Sequence, residues 1–162
     1  MCKYSQSEQT IFSGGTSRAQ RQSKNNTTPD VPVAFSAYRN IAGTVGAGQS
    51  IVFDVVYVNQ GNGYMYHQNH GLFIAPQSGI YVFLVSLMHS SQSKPGHHSI
   101  MKNGQIFARF HSESNQYEQT SQSVILNVNA GDEIYVRNDD NDEYYGSGLY
   151  SSFSGFLPFQ SS

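Results

Sequence analysis

Three short stretches of this chain concentrate side chains able to bind ions, sugars or protons: "HSSQSKPGHH" (89–98), "HSESNQYEQT" (111–120) and "NDDNDEYYGSG" (138–148). Only 12% of the residues are charged, yet Asp139, Asp140, Asp142 and Glu143 fall within five positions. Carboxylates with Asn and backbone carbonyls are the hard oxygen ligands that calcium takes about six to eight at a time, so Asp139, Asp140 and Asp142 are candidate calcium ligands. The stretch lacks the alternate oxygens, central Gly and distant Glu of an EF-hand loop, and an acidic loop is equally well a solvated turn that limits edge pairing. Imidazoles at His67, His70, His97 and His98 raise zinc as an alternative. No HExxH helix and no assisting cysteine accompany them, which makes structural or surface histidine the plainer reading. Beside carboxylates, such imidazoles gain charge near about pH 6. Carbohydrate is the third chemistry, because an aromatic face beside carboxylate, amide and hydroxyl groups suits sugars, and Tyr144 and Tyr145 stand next to Asp and Asn. The candidate binding set is therefore His97, His98, His111, Glu113, Tyr117, Asp139, Asp140, Asp142, Glu143, Tyr144 and Tyr145. Catalysis is not expected: no nucleophile is paired with a base, and "GAGQS" (46–50) lacks the lysine and helix of a phosphate loop.

Short runs rich in Val, Ile, Phe and Tyr must position these stretches. From Val31 onward they are cut by Gly, Asn and Pro at intervals typical of an all-β sandwich or barrel. In "IVFDVVYVN", Ile51, Phe53, Val55 and Tyr57 share one face, and Val52, Asp54, Val56 and Val58 the other. In "GIYVFLVSLMH", Ile80, Val82, Leu84 and Met88 lie opposite Tyr81, Phe83, Val85 and Leu87. Both faces are apolar, whereas an antiparallel strand of a monomeric sandwich turns one polar face to water. A second copy of the chain is the natural cover, so an oligomer is expected. "KNG" and "NAGD" are expected hairpin turns, since Asn and Gly tolerate positive φ. Successive antiparallel connections alternate between the two ends of a sandwich. With "LYSSFSGFLPF" running toward the base, "KNG" and "NAGD" fall at the base and the three polar stretches meet at the top, where a rigid scaffold carries function on loops.

The chain has 162 residues, room for one domain, and a formal net charge of -2, which leaves no electrostatic footprint for nucleic acid. Residues 1–30 are rich in Ser, Gln, Thr and Asn and read as a flexible polar arm ahead of a domain at 31–162. A lone Cys2 cannot make an internal disulfide. No apolar run is long enough for membrane insertion, and "MCKYSQSEQT" has no signal-peptide core. Overlapping sequons at Asn25 and Asn26 favour a secreted, mature form.

The segment from Phe53 to Val85 resembles the signature of the C1q globular domain family. Five residues separate Phe53 from Asn59, six separate Tyr66 from Phe73, five separate Phe73 from Gly79, and Gly79, Tyr81 and Phe83 then alternate as in the signature. The spacer between Asn59 and Tyr66 is longer than usual, and Val85 stands where an aromatic is customary. "VAFSAYR" and "FSGFL" look like the family's first and last strands, and no collagen-like stalk is present. The resemblance implies a ten-stranded jelly-roll β-sandwich of the C1q/TNF kind, assembled as a homotrimer. Its motif residues are expected to be structural, Gly79 permitting a tight turn and Gly155 a close approach. It also implies calcium near the apex, with ligands from the segment holding Glu118 and Gln119. In function it implies a soluble lectin-like pattern-recognition protein of innate immunity that binds carbohydrates or microbial surface polymers. The alternative is a cytokine-like or extracellular-matrix trimer that binds a protein receptor.

Overall fold

A computed structural model describes residues 31–63, 65–89, 94–113, 117–140 and 143–160. The expected polar arm, Cys2, the sequons and Asp142 lie outside the described residues. Among those residues every regular element is a strand: β1 (Ala34–Arg39), β2 (Gly43–Val45), β3 (Val55–Gln60), β4 (Tyr66–His67), β5 (Leu72–Ile74), β6 (Gly79–His89), β7 (Gly96–Lys102), β8 (Gln105–Ser112), β9 (Glu118–Val128), β10 (Glu133–Asn138), β11 (Glu143–Tyr145) and β12 (Ser151–Gln160). The jelly-roll sandwich is as expected. Its strands number twelve because short segments such as β2, β4 and β11 also pair.

The first sheet is built on β6, with β9 along one edge and β12, β1 and β3 following on the other; β11 meets the end of β6 and pairs with β2. The second sheet runs β4-β5-β10-β7-β8, and all its pairings are antiparallel. Alternation on β6 drives the packing, since Tyr81, Phe83, Val85 and Leu87 are buried while Ile80 and Leu84 are exposed on the opposite face. Between the sheets the aromatic rings interlock: Phe35 stacks on Phe73 at 4.7 Å between centroids and meets Phe153 edge-on at 4.8 Å. The buried Tyr66 hydroxyl donates to the carbonyl of Phe53 at 3.2 Å, so the ring fills the core without an orphaned polar group. Gly155 belongs to this packing, because an added Cβ would stand 2.6 Å from the Phe83 ring and 2.7 Å from Phe35.

Two local expectations differ from the structure. The run from Ile51 enters a regular strand only at Val55; Ile51 and Phe53 are buried, but a register shift of β1 against β3 between Ser36 and Ala37 breaks the alternation, and Tyr57 is exposed beside Tyr38. Gly79 is not among the glycines with positive φ; it opens β6 opposite Val128 and Gln160. The "KNG" turn does require its residues, with Asn103 at φ 50° and Gly104 at φ 80°.

Candidate functional site

Strand register brings the stems of the three polar stretches to one end. His89 closes β6 opposite Glu118 at the start of β9, Gly96 opens β7 opposite Ser112 at the end of β8, and Asn138 closes β10 opposite His98. A fourth segment, missed by the loop-parity argument, joins them. Asn138 accepts from the backbone N–H of Gly48 at 2.7 Å, donates its own N–H to the Gln49 carbonyl at 3.0 Å, and donates its side-chain amide to the Val45 carbonyl at 2.9 Å. The signal for it was the apolar alternation of Ile51 and Phe53, both buried, which carries residues 46–50 back across the end of β10, where Ser50 bridges to Arg137.

At this apex Asp139 and Asp140 are held in different ways. Asp139 Oδ1 accepts from Arg137 Nε at 2.8 Å and lies 2.7 Å from its second guanidinium nitrogen, while its other oxygen accepts from the Ser99 hydroxyl. Asp140 Oδ2 lies 2.8 Å from His97 Nδ1, and the Asp139 N–H donates to the His97 carbonyl at 2.9 Å. With Arg109 these residues border an open depression on the outer side of the second sheet. His111 lies nearby, its ring 6.3 Å from that of His97 and its Nε2 3.8 Å from Glu113. Tyr117 is exposed. The arrangement offers a guanidinium, imidazoles and a carboxylate to a ligand, with rotamers already restrained by mutual bonds.

His98 and Tyr145 are corrections to the surface set, because both are fully buried. They face inward where β7 and β11 close the sandwich, with the Tyr145 hydroxyl 3.2 Å from His98 Nδ1 and the Phe110 ring 5.2 Å from the imidazole. Burial holds the His98 pKa down at about 4, helped by nearby His89 and His97 and opposed by Asp139. Burial likewise lowers the pKa of His89, against the pull of Glu118. A Cβ on Gly96 would lie 3.1 Å from His98 Nε2, 3.1 Å from Ser112 Oγ and 3.3 Å from His89 Nε2, so glycine leaves a small polar hollow beneath the apex. Glu143 and Tyr144 run along β11 opposite Val45 and Thr44, which carries them toward the fourth segment.

The calcium set does not assemble within the described residues. Asp139 is taken up by Arg137 and Ser99, and Asp140 by His97. Glu118 and Gln119, adjacent on a strand, face opposite sides; Gln119 donates outward to Ser86 at 2.8 Å and to the Tyr150 carbonyl at 3.1 Å. Among the described residues no three acid, histidine or cysteine side chains are grouped to hold a metal.

Two antiparallel sheets in this order define the C1q/TNF class of jelly roll. Over 80% of this chain and 99% of the other, the fold matches the globular domain of zebrafish complement 1qA at a TM-score of 0.65 and 17% identity. The Eiger TNF of S. frugiperda matches at 0.62 and 15% identity, over 82% of this chain and 96% of that one. Murine APRIL at pH 8.5 matches at 0.64 and 11% identity, over 79% and 99%. Within that class, the C1q domain pattern matches residues 34–158, and the chain belongs to the C1q domain family. Caprin-2 of Danio rerio is 31% identical over 131 residues, which is 79% of this chain and 14% of that protein.

Proposed function

We propose that this chain forms a secreted homotrimeric recognition module that binds glycans or microbial surface polymers through its apical loops. The observation that carries this reading is the apical depression lined by Arg109, Arg137, His97, Asp139 and Asp140, in which Arg137 is bonded to Asp139 and His97 to Asp140. Support for the trimer comes from the outer face of the first sheet. There Val82 pairs with both Phe156 and Ile125, and Ile80 and Leu84 flank it, making an apolar patch across three strands. Ile125 is 70% exposed in the single chain, a cost that burial against a second copy removes. Three identical apices acting together raise a weak single-site affinity by effective concentration.

A glycan array probed with the intact protein, with calcium and with chelator, tests the reading. Binding in either arm is expected, and a difference between the arms would place calcium in recognition. Silence in both arms together with capture of a protein receptor would replace it with the cytokine-like alternative.

A further inference from the structure

A second concavity lies on the flank of the domain, where the 40–54 crossover faces the 67–71 turn. It is lined by Ile41, Gln49, Ser50, Asp54, Gln68 and Asn69, among others, shares no residue with the apical depression, and has a volume of about 400 Å³. Its walls are fixed. Arg39, buried at the end of β1, donates to the Val52 carbonyl at 2.8 Å, and Asp54 Oδ1 accepts the N–H groups of Asn40 at 2.7 Å and Ile41 at 3.0 Å. On the other wall, His70 and Gly71 both donate to the His67 carbonyl at 3.0 Å, and Gly71 sits at φ +65° with its Cα against the backbone of Ile51. The Asn138 clamp holds the far end of the crossover.

What faces the hollow is mostly uncharged and ready to bond. Ser50 belongs to the wall, its hydroxyl buried close to Gly71 rather than open to the hollow. The Gln49 carbonyl oxygen accepts from the Gly46 N–H at 2.9 Å, which leaves its amide N–H groups to donate. Gln68 and Asn69 present amides that can donate and accept at once. Ile41, 51% exposed, supplies an apolar surface beside them. The one cation and one anion cancel and are already engaged, Arg39 by a carbonyl and Asp54 by two N–H groups. An ionic ligand would therefore meet no net charge here, while a ring bearing several hydroxyls and an apolar C–H face matches the set, and the volume admits one or two such rings.

The geometry points to this flank hollow as a binding site for a neutral sugar residue, one per subunit and separate from the apex. It rests on the glycan-recognition reading and gives that reading a ligand class and a second position. The test is titration of the intact protein with a panel of neutral mono- and oligosaccharides, read by backbone amide shifts, for the native chain and for the double variant Gln68→Ala/Asn69→Ala. Both residues lie in a surface turn, and an unchanged melting temperature checks the fold. The expected result is shifts centred on 41–50 and 67–71, with affinity falling roughly tenfold or more in the variant from the loss of two amide hydrogen bonds. Shifts centred instead on His97, Arg109 and 137–140, with the variant at full affinity, would overturn this site and leave the apical function standing. No saccharide binding at all, here and on the array, would overturn both.

Discussion

His98 is the residue whose chemistry departs furthest from what its neighbours in the chain suggest. Beside His97 it looks like half of a surface pair, but strand alternation sends His97 out to Asp140 and His98 in to Tyr145. Its folded pKa of about 4 lies below the ordinary 6.5, so the unfolded chain takes up the proton more readily as pH falls. Stability is then fully present above pH 6.5 and is lost between 6.5 and about 4, by up to on the order of 3 kcal/mol from this one group. Thermal melting of the native chain against His98→Phe, from pH 7 to 4, should show a steeper fall for the native chain; parallel curves would mean the imidazole does not titrate as a buried group. Asp139 is the second residue that decides the apex. Removing its carboxylate as Asp139→Ala leaves the half-buried Arg137 guanidinium and the buried Ser99 hydroxyl without their acceptor. The expected loss is about 2 kcal/mol of unfolding free energy, measured by urea denaturation, because charged hydrogen bonds cost more to orphan than neutral ones. An unchanged midpoint would show that water replaces the carboxylate freely.

At the scale of strands, β12 is positioned by a missing side chain. Gly155 pairs with both Phe35 and Phe83 across the sheet, and their rings occupy the place of its Cβ. Gly155→Ala forces two rings of the interlocked core aside, and overpacking of that kind costs about 1–3 kcal/mol. Calorimetry should show a lower melting temperature, and a variant as stable as the native chain would mean that the cluster yields without strain. Period-2 alternation made β6 legible in the sequence, and the need of the "KNG" turn for positive φ at Asn103 and Gly104 marked the β7–β8 hairpin, whereas β9 begins at Glu118, inside the polar stretch 111–120 expected as a loop. Strand parity was enough to bring His89, His97, His111 and Asp139 to one end. It was blind to the 40–54 crossover, whose place depends on long-range bonds from Arg39 and Asn138 rather than on any local pattern. For the same reason Arg109, Arg137 and Ser99 were missed as partners of the acidic loop. They sit mid-strand, and only lateral register brings them beside Asp139 and Asp140.

For the whole molecule, the outer face of the first sheet is divided along its strands. Toward the base it is apolar, with Ile80, Val82, Leu84, Ile125 and Phe156; toward the apex it turns to Ser86, Ser121, Ser123 and Ser152. A face of this kind packs firmly at one end of an assembly and stays polar at the other. In the proposed trimer that would set the three apices side by side without burying the apical loops. Ile125→Lys tests the assembly directly. It places a charge on the edge-strand side of the apolar patch, opposite Val82, while altering a side chain that the single chain already leaves 70% exposed. The subunit fold should therefore survive, and the desolvation of an unpaired ammonium should fall on the interface alone. Light scattering at micromolar concentration is expected to give three times the chain mass for the native protein and the chain mass for the variant, with circular dichroism unchanged. A native protein that is already monomeric would refute the trimer, and glycan-array signals of equal strength for both species would show that recognition does not depend on three apices acting together.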